Sequence, residues 1–378
     1  MKILFYANTD WYLFTFVKSL AQALIKRGNR VIFVSPQGEY SERLIALGFD
    51  WRPTPMVRAN VNPFREMYAI FYLASLLNKE RVDIVHSFSN QCSIHGSLAA
   101  KLIGLKTVVN SLSGLGYVFT SDQLKARLLR PLMHKMLSIS AKASEETRII
   151  LLNSDDVQLF EDRYQVKGRK IRLIPGAGVD CERFSPPVDK RCNDKVKILF
   201  VGRVVVDKGI REFVDAARIL ISKRRDVEFI IAGGLDKDHP DPVSEELLNK
   251  WVAEGLVEWM GYIEDMPSLL QNVDIIALPS YREGLPTCLT EGAASGLALV
   301  GSDVPGCRDV IDDGVNGLLC KVRDSVSLAE AISRLLDDEP MRSRLGVSAR
   351  EKVVKEFSQE KINELHFELY EEILLEAN

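Results

Sequence analysis

The chain has 378 residues, 49 Lys and Arg against 52 Asp and Glu, and 46% hydrophobic letters. At roughly 150 residues per domain this length predicts two domains, and the 27% charged fraction with ample core letters excludes a disordered chain. No apolar run reaches the ~18 residues of a membrane-spanning helix. Met1-Lys2-Ile3-Leu4-Phe5-Tyr6 runs straight into Asn8-Thr9-Asp10, which reads as a buried first strand and not as a signal peptide. Cys92, Cys181, Cys192, Cys288, Cys307 and Cys320 form no C-x-x-C pair and have no His at zinc spacing, as expected for a reducing cytoplasm and against a metal cluster.

The near-zero total charge hides a split. Residues 1–190 hold 26 Lys and Arg against 17 Asp and Glu, whereas residues 191–378 hold 23 against 35. Such an asymmetry points to an anionic partner for the first half, or to ordinary solvated faces.

In chain order, Lys2–Ala7 reads as a strand and Phe14–Lys26 as a helix, with Phe14, Val17, Leu20, Ala21 and Leu24 on one face and Gly28 as its stop. Strand Val31–Ser35, a helical turn or two at Ser41–Leu47, strand Asp83–His86 and helix Ile94–Ile103 follow. Strands Thr107–Ser111, Arg148–Asn153 and Lys170–Ile174 complete the first half. Breaker-rich Pro175-Gly176-Ala177-Gly178 and Phe184-Ser185-Pro186-Pro187 mark a linker. The pattern then restarts with strand Val196–Val201, helix Gly209–Lys223, strands Val227–Ala232, Val257–Met260 and Asp274–Leu278, helix Thr287–Ser295 and strand Ala298–Ser302. An amphipathic helix, Ser358–Leu375, ends the chain with Ser358 as its N-cap. Strands alternating with helices predict an α/β protein with two Rossmann-like domains facing each other across a cleft. The expected boundaries are residues 1–185 with a returning C-terminal helix at 358–378, and residues 186–357.

Neither first loop suits a dinucleotide. Ala7-Asn8-Thr9-Asp10-Trp11 has no glycine, and Gly202-Arg203-Val204-Val205-Val206-Asp207-Lys208-Gly209 is neither G-x-G-x-x-G nor a P-loop. In the second loop, however, Arg203 and Lys208 stand at the mouth of a helix, where a guanidinium, an ammonium and free N–H groups suit a diphosphate. Two solvated charges beside a turn would look the same. A second cluster, Ser280-Tyr281-Arg282-Glu283-Gly284-Leu285-Pro286-Thr287-Cys288-Leu289-Thr290-Glu291, follows a strand and opens a helix. Glu283 in the loop also fits a carboxylate facing a helix dipole. Glu291, one turn in among Leu289, Ala293 and Ala294, fits a bidentate acceptor for vicinal hydroxyls such as a ribose.

These residues resemble the retaining glycosyltransferases of family 4, which have the GT-B fold. The resemblance rests on E-x7-E at Glu283 and Glu291 and on Gly-Arg-x4-Lys-Gly at Gly202-Arg203 to Lys208-Gly209. Pro279-Ser280, Gly314-Val315-Asn316-Gly317 and Gly178-Val179-Asp180 with Phe184 extend it over nearly the whole chain. It implies sugar transfer from a nucleotide-sugar with the anomeric configuration retained. Arg203 and Lys208 would neutralise the departing diphosphate, and Glu283 would hold the donor sugar. Glu291 would hold the ribose, and Gly202, Gly284, Leu285, Pro286 and Thr287 would line sugar and phosphate. Many members carry a histidine where this chain has Ser113, so no catalytic histidine is assigned. The loop with Ser113, Gly114 and Gly116 is expected near donor or acceptor, and His86 matches a common family position, or is a satisfied strand-end histidine. His95 reads as structural.

No cofactor beyond the nucleotide-sugar, taken as a UDP-sugar, is expected. Asp236-Lys237-Asp238 has the D-x-D form of metal-using transferases but reads as a wet loop, so no metal is assigned. Between Leu124 and Leu137, Lys125, Arg127, Arg130 and Lys135 accompany an apolar side of Leu124, Leu128, Leu129, Leu132 and Met136. This segment is either a core-facing helix with a wet basic face or a membrane contact. With Arg58 and Arg65 it supports a peripheral position on the anionic inner leaflet of the cytoplasmic membrane. The chain particularly resembles members that extend undecaprenyl-diphosphate-linked oligosaccharides in bacterial glycan assembly, N-acetylgalactosaminyltransferases among them. The expected reaction is therefore transfer of an N-acetylhexosamine to a polyprenyl-diphosphate-linked saccharide, with no nucleic-acid partner. A GDP-sugar donor, a soluble acceptor, a sugar-nucleotide epimerase and a non-catalytic nucleotide-sugar binder are the alternatives.

Overall fold

The computed structural model describes residues 1–57, 62–112, 124–142, 144, 146–187, 195–236 and 239–377. The chain divides into two compact units, Met1–Ala177 with Gln359–Asn378, and Gly178–Ser358.

In the first unit, strands β1 (Lys2–Ala7), β2 (Arg30–Ser35), β3 (Asp50–Pro53), β4 (Ile84–Phe88), β5 (Val108–Leu112), β6 (Thr147–Leu151) and β7 (Ile171–Leu173) form a sheet in the order β3-β2-β1-β4-β5-β6-β7. Every pairing is parallel. Central strands are buried throughout, which explains why they read as unbroken apolar runs. The second unit repeats the plan with β8 (Val196–Val201), β9 (Val227–Ala232), β10 (Glu258–Gly261), β11 (Ile275–Leu278), β12 (Ala298–Ser302) and β13 (Leu318–Cys320) in the order β10-β9-β8-β11-β12-β13. Each unit is therefore a doubly wound, Rossmann-like domain.

The division falls inside the first breaker-rich stretch, between Ala177 and Gly178, and before the second. Val179 and Phe184 lie in the second unit's core, Val179 N donates to Phe357 O at 2.9 Å, and Arg350 Nη1 donates to Phe184 O at 3.1 Å. Residues 178–185 are thus packed chain, so a boundary drawn at 185 lies inside the second unit. Helices at Ser154–Tyr164, Glu245–Ala253, Ser325–Asp337 and Glu339–Glu356 were not apparent from periodicity. Neither was Pro63–Glu80, which is apolar on both faces in its first turns.

The helix Gln359–Ala377 completes the first unit. Ile362, Phe367, Leu369, Tyr370 and Ile373 enter the same core as Leu20, Leu24, Phe5 and Ile84. Its charged end reaches Arg148, whose side chain is fully buried. Arg148 is paired with Glu376, stands 3.7 Å from Glu372 and 3.6 Å from Glu146, and Arg169 adds a 3.1 Å contact to Glu376. A buried guanidinium is tolerable only with such partners. Tyr370 Oη lies 2.6 Å from His86 Nδ1, so the end of the chain also satisfies a central strand. Tyr370→Ala is expected to destabilise the first unit by about 4 kcal/mol through the lost ring volume and hydrogen bond. Denaturant unfolding monitored in both units should lose the first transition's midpoint and leave the second in place.

Candidate functional site

In the second sheet the strand order reverses between β8 and β11, and at such a reversal the loops from neighbouring strands leave in opposite directions and open a crevice. The two loops picked out in the sequence are the ones that follow these strands. They are stitched together. Tyr281 N donates to Asp207 O at 2.9 Å, and Ser280 Oγ donates to the same carbonyl at 3.2 Å. Gly209, at φ +73°, passes so close that a Cβ there would sit 1.9 Å from Pro279 O. Only glycine permits this approach.

Across the seam Lys208 Nζ meets Glu283 Oε1 at 2.6 Å, although the residues are 75 positions apart. Burial alone would lower the Lys208 pKa, but the Glu283 charge and hydrogen bond, with Cys288 and Asp207 nearby, raise it instead. Lys208 is therefore a fixed cation. Arg203 pairs with Asp236 Oδ2 at 2.6 Å and keeps half its side chain in water. The D-x-D reading is corrected to this extent: Asp236 serves the arginine, while Lys237 and Asp238 lie outside the described residues.

The helix Thr287–Ala294 follows Pro286 with no side-chain cap, so no side chain offsets the positive end of its dipole at the loop after β11. Behind it Gly306, at φ +80°, lets the Glu283 and Gly284 carbonyls approach within 3 Å of where a Cβ would stand. Glu291 lies one turn into that helix, half-buried beside buried Leu289, Thr290, Ala293 and Ala294. Burial pushes its carboxyl up to about 7, partly countered by Arg183. Among the described residues nothing donates a hydrogen bond to this carboxylate. Gly202, Gly284, Leu285, Pro286 and Thr287 all lie on these two loops and the helix start. Cys288, at the second helical position, has its thiol raised to about 12 by burial and the Glu283 charge, so it is no nucleophile.

Sequence reasoning missed two supports, Glu212 and Arg323. Tyr281 Oη donates to Glu212 Oε1 at 2.8 Å, and the Arg323 guanidinium lies 4.5 Å over the Tyr281 ring. Glu212 and Arg323 carry no motif, so only the fold could find them.

Sites expected in the first unit fare differently. The strand holding His86 runs on to Phe88, so His86 sits mid-strand with no solvent exposure. Its Nε2 is 2.7 Å from Ser111 Oγ, its Nδ1 is held by Tyr370, and burial with neighbouring His366 keeps its pKa well below the usual value. Of the two readings of His86 the site reading is corrected and the satisfied histidine stands, mid-strand and not at a strand end: both ring nitrogens are spent inside the core. His95 is structural, with Nε2 2.6 Å from Glu66. Ser113, Gly114 and Gly116 lie outside the described residues. The basic segment is helical over Leu124–Ala141, with Pro131 inside it. Leu137 and Ala141 pack into the core with Ile149, Leu151 and Phe160, Arg130 is half-buried, and Lys135 is exposed. The side chains of Lys125 and Arg127 are outside the described residues.

Solved structures share this architecture from end to end. A glycosyltransferase from Rickettsia africae superposes with a TM-score of 0.78 at 20% identity, covering 99% of this chain and 98% of that one. A sucrose-phosphate synthase from Thermosynechococcus elongatus superposes with 0.81 at 19% identity, covering both chains fully. Fold and neighbours define the GT-B class. Residues 2–151 match the family model described as Glycosyl transferase 4-like, and residues 195–338 match Glycosyl transferases group 1. The chain is 30% identical over 99% of both lengths to the N,N'-diacetylbacillosaminyl-diphospho-undecaprenol alpha-1,3-N-acetylgalactosaminyltransferase of Campylobacter jejuni. It is 29% identical over 83% of both lengths to the UDP-Gal:alpha-D-GlcNAc-diphosphoundecaprenol alpha-1,3-galactosyltransferase of Escherichia coli. The chain belongs to glycosyltransferase family 4.

The two cations should separate by environment. Lys208→Met leaves the nearly buried Glu283 unpaired and should cost about 2 kcal/mol in denaturant unfolding, with Lys208→Met/Glu283→Gln recovering stability but not turnover. Arg203→Ala, with an exposed pair, should change stability by less than about 0.5 kcal/mol while losing most turnover. Equal stability losses would contradict the geometry.

Glu291 makes a pH prediction. Its carboxyl ionises near 4.5 in the unfolded chain but only near 7 when folded, so its contribution is complete below 4.5 and is lost as pH rises through 7. The loss amounts to about 3 kcal/mol. Urea midpoints of Glu291→Gln across this window should lack the decline; an unchanged decline would place the titration elsewhere.

Proposed function

We propose that this chain is a retaining glycosyltransferase that moves an N-acetylhexosamine from a UDP-sugar to a polyprenyl-diphosphate-linked saccharide at the inner face of the cytoplasmic membrane. The reading is carried by one observation: a fixed ammonium stands at the switch point, on the same loop as the Arg203 guanidinium and paired to the loop that opens an uncapped helix. Such preorganised positive charge lowers the barrier most in a water-poor site. The acceptor's hydroxyl oxygen bonds to the anomeric carbon as the bond to the β-phosphate oxygen breaks. Attack comes from the leaving-group face, and the acceptor proton passes to that phosphate oxygen. Lys208 and Arg203 hold the diphosphate, and Glu291 accepts from the ribose hydroxyls. Glu283 steadies Lys208 until the donor arrives and then shares the sugar's hydroxyls. The Campylobacter and Escherichia relatives, both named for undecaprenol-diphosphate acceptors, support the acceptor class.

A nucleotide-release assay over UDP- and GDP-sugars, with and without a short lipid-diphosphate saccharide, tests the reaction. The expected outcome is acceptor-dependent UDP release, fastest with a UDP-N-acetylhexosamine, and an α-linked product by NMR. Protein groups meet the diphosphate charge in this reading, so EDTA should leave the rate unchanged. Acceptor-independent release with an altered sugar would replace transfer by epimerisation, and a tenfold loss with EDTA would require a metal in the mechanism.

A further inference from the structure

We propose that the outer face of the helix Pro63–Glu80 is a membrane-docking surface that seats the first unit on an anionic bilayer. This deepens the lipid-linked reading above by naming the element that touches lipid.

The helix is firmly built. Asn62 caps it, accepting from Phe64 N at 3.0 Å and Arg65 N at 3.4 Å, and Pro63 opens it. Ala69, Leu73, Ala74 and Leu77 face inward. The opposite face is apolar as well: Phe64 is 78% exposed, Met67 53%, Tyr68 63% and Phe71 56%. These residues recur at i, i+3, i+4 and i+7, so they form one stripe over two turns. A helix that is apolar all round is ordinarily buried on every side. Here three aromatic rings and a thioether stand in water.

Charge identifies the occupant. The first carboxylate on this helix, Glu66, is turned away from the stripe and held by His95 Nε2 at 2.6 Å and Gln91 Nε2 at 3.1 Å. Arg65 is exposed on the same turn as Phe64. The helix packs on Asn90–Ile103, which packs in turn on Leu124–Ala141. From residue 90 to residue 142 the sequence holds seven Lys and Arg and one acid, Asp122. Between the latter two helices Lys101 and Lys142 flank a groove of about 220 Å³ that also exposes Ile139. An aromatic stripe beside a cationic helix layer matches an interface of acyl chains below and anionic headgroups above. An apolar protein partner would gain nothing from the excess of lysines. No described helix is long and apolar enough to cross a membrane, so the contact is peripheral.

The test uses the full chain with vesicles of phosphatidylglycerol and phosphatidylcholine, and with phosphatidylcholine alone. Wild type should co-sediment with the anionic vesicles and not the neutral ones. The variant Phe64→Ser/Tyr68→Ser/Phe71→Ser should keep the wild-type thermal melt and lose partitioning by at least about tenfold. It should retain transfer to a water-soluble acceptor analogue while transfer to a vesicle-embedded acceptor falls. Wild-type partitioning of the folded triple variant, or equal binding to neutral vesicles, would overturn the proposal. So would a wild-type dimer that the triple variant abolishes, since the stripe would then be covered by a second copy. If the soluble acceptor is not glycosylated by wild type but vesicles bind, the transferase reading fails and the membrane surface stands.

Discussion

The contact between Lys208 and Glu283 organises the crevice of the second unit. An ammonium and a carboxylate meet at 2.6 Å in a mostly buried place, and each makes the other's charge tolerable. The pair exists because β8 and β11 are neighbours where the strand order reverses, which brings together two loops far apart in sequence. Gly209 removes the Cβ that would hold those loops apart, and Gly306, in the loop after β12, lets that loop close on the Glu283 and Gly284 carbonyls. The same two loops carry Arg203, which pairs with Asp236, and the uncapped helix start, with Glu291 one turn into that helix.

The first unit spends its polar groups differently. His86, Ser111 and Tyr370 satisfy one another inside the core, and Arg148 is compensated by carboxylates of the returning helix. These buried groups tie the returning helix to the central strands of the first sheet. The unit's outward features are instead an aromatic stripe and a lysine-rich helix layer. One unit gathers paired charges at its switch point; the other presents an apolar stripe.

Much of this was legible in the residues, for identifiable reasons. Central parallel strands are buried on both faces, so β1, β2, β8, β9 and β12 stand out as apolar runs. The loop of Arg203 and Lys208 stood out because two cations precede a helix start, and Glu291 because a carboxylate among alanines and leucines is no ordinary wet-face residue; the fold sets both beside the switch point. His86 misled because its strand continues two residues further than its apolar letters, which turns an apparent edge into a centre. The helix at Pro63–Glu80 escaped because Phe64, Met67, Tyr68 and Phe71 fill the side that periodicity expects to be polar. Asp236, Glu212 and Arg323 act only through partners that the fold supplies.

Calorimetric titration of UDP and of uridine tests the central claim most directly, because it separates the diphosphate contacts from the ribose contact. Lys208→Met/Glu283→Gln, which restores the balance of the seam, should lose at least about tenfold in UDP affinity and leave uridine binding unchanged. Glu291→Gln should weaken both ligands. UDP binding that is indifferent to Lys208 would contradict the account, because the diphosphate would then lie elsewhere.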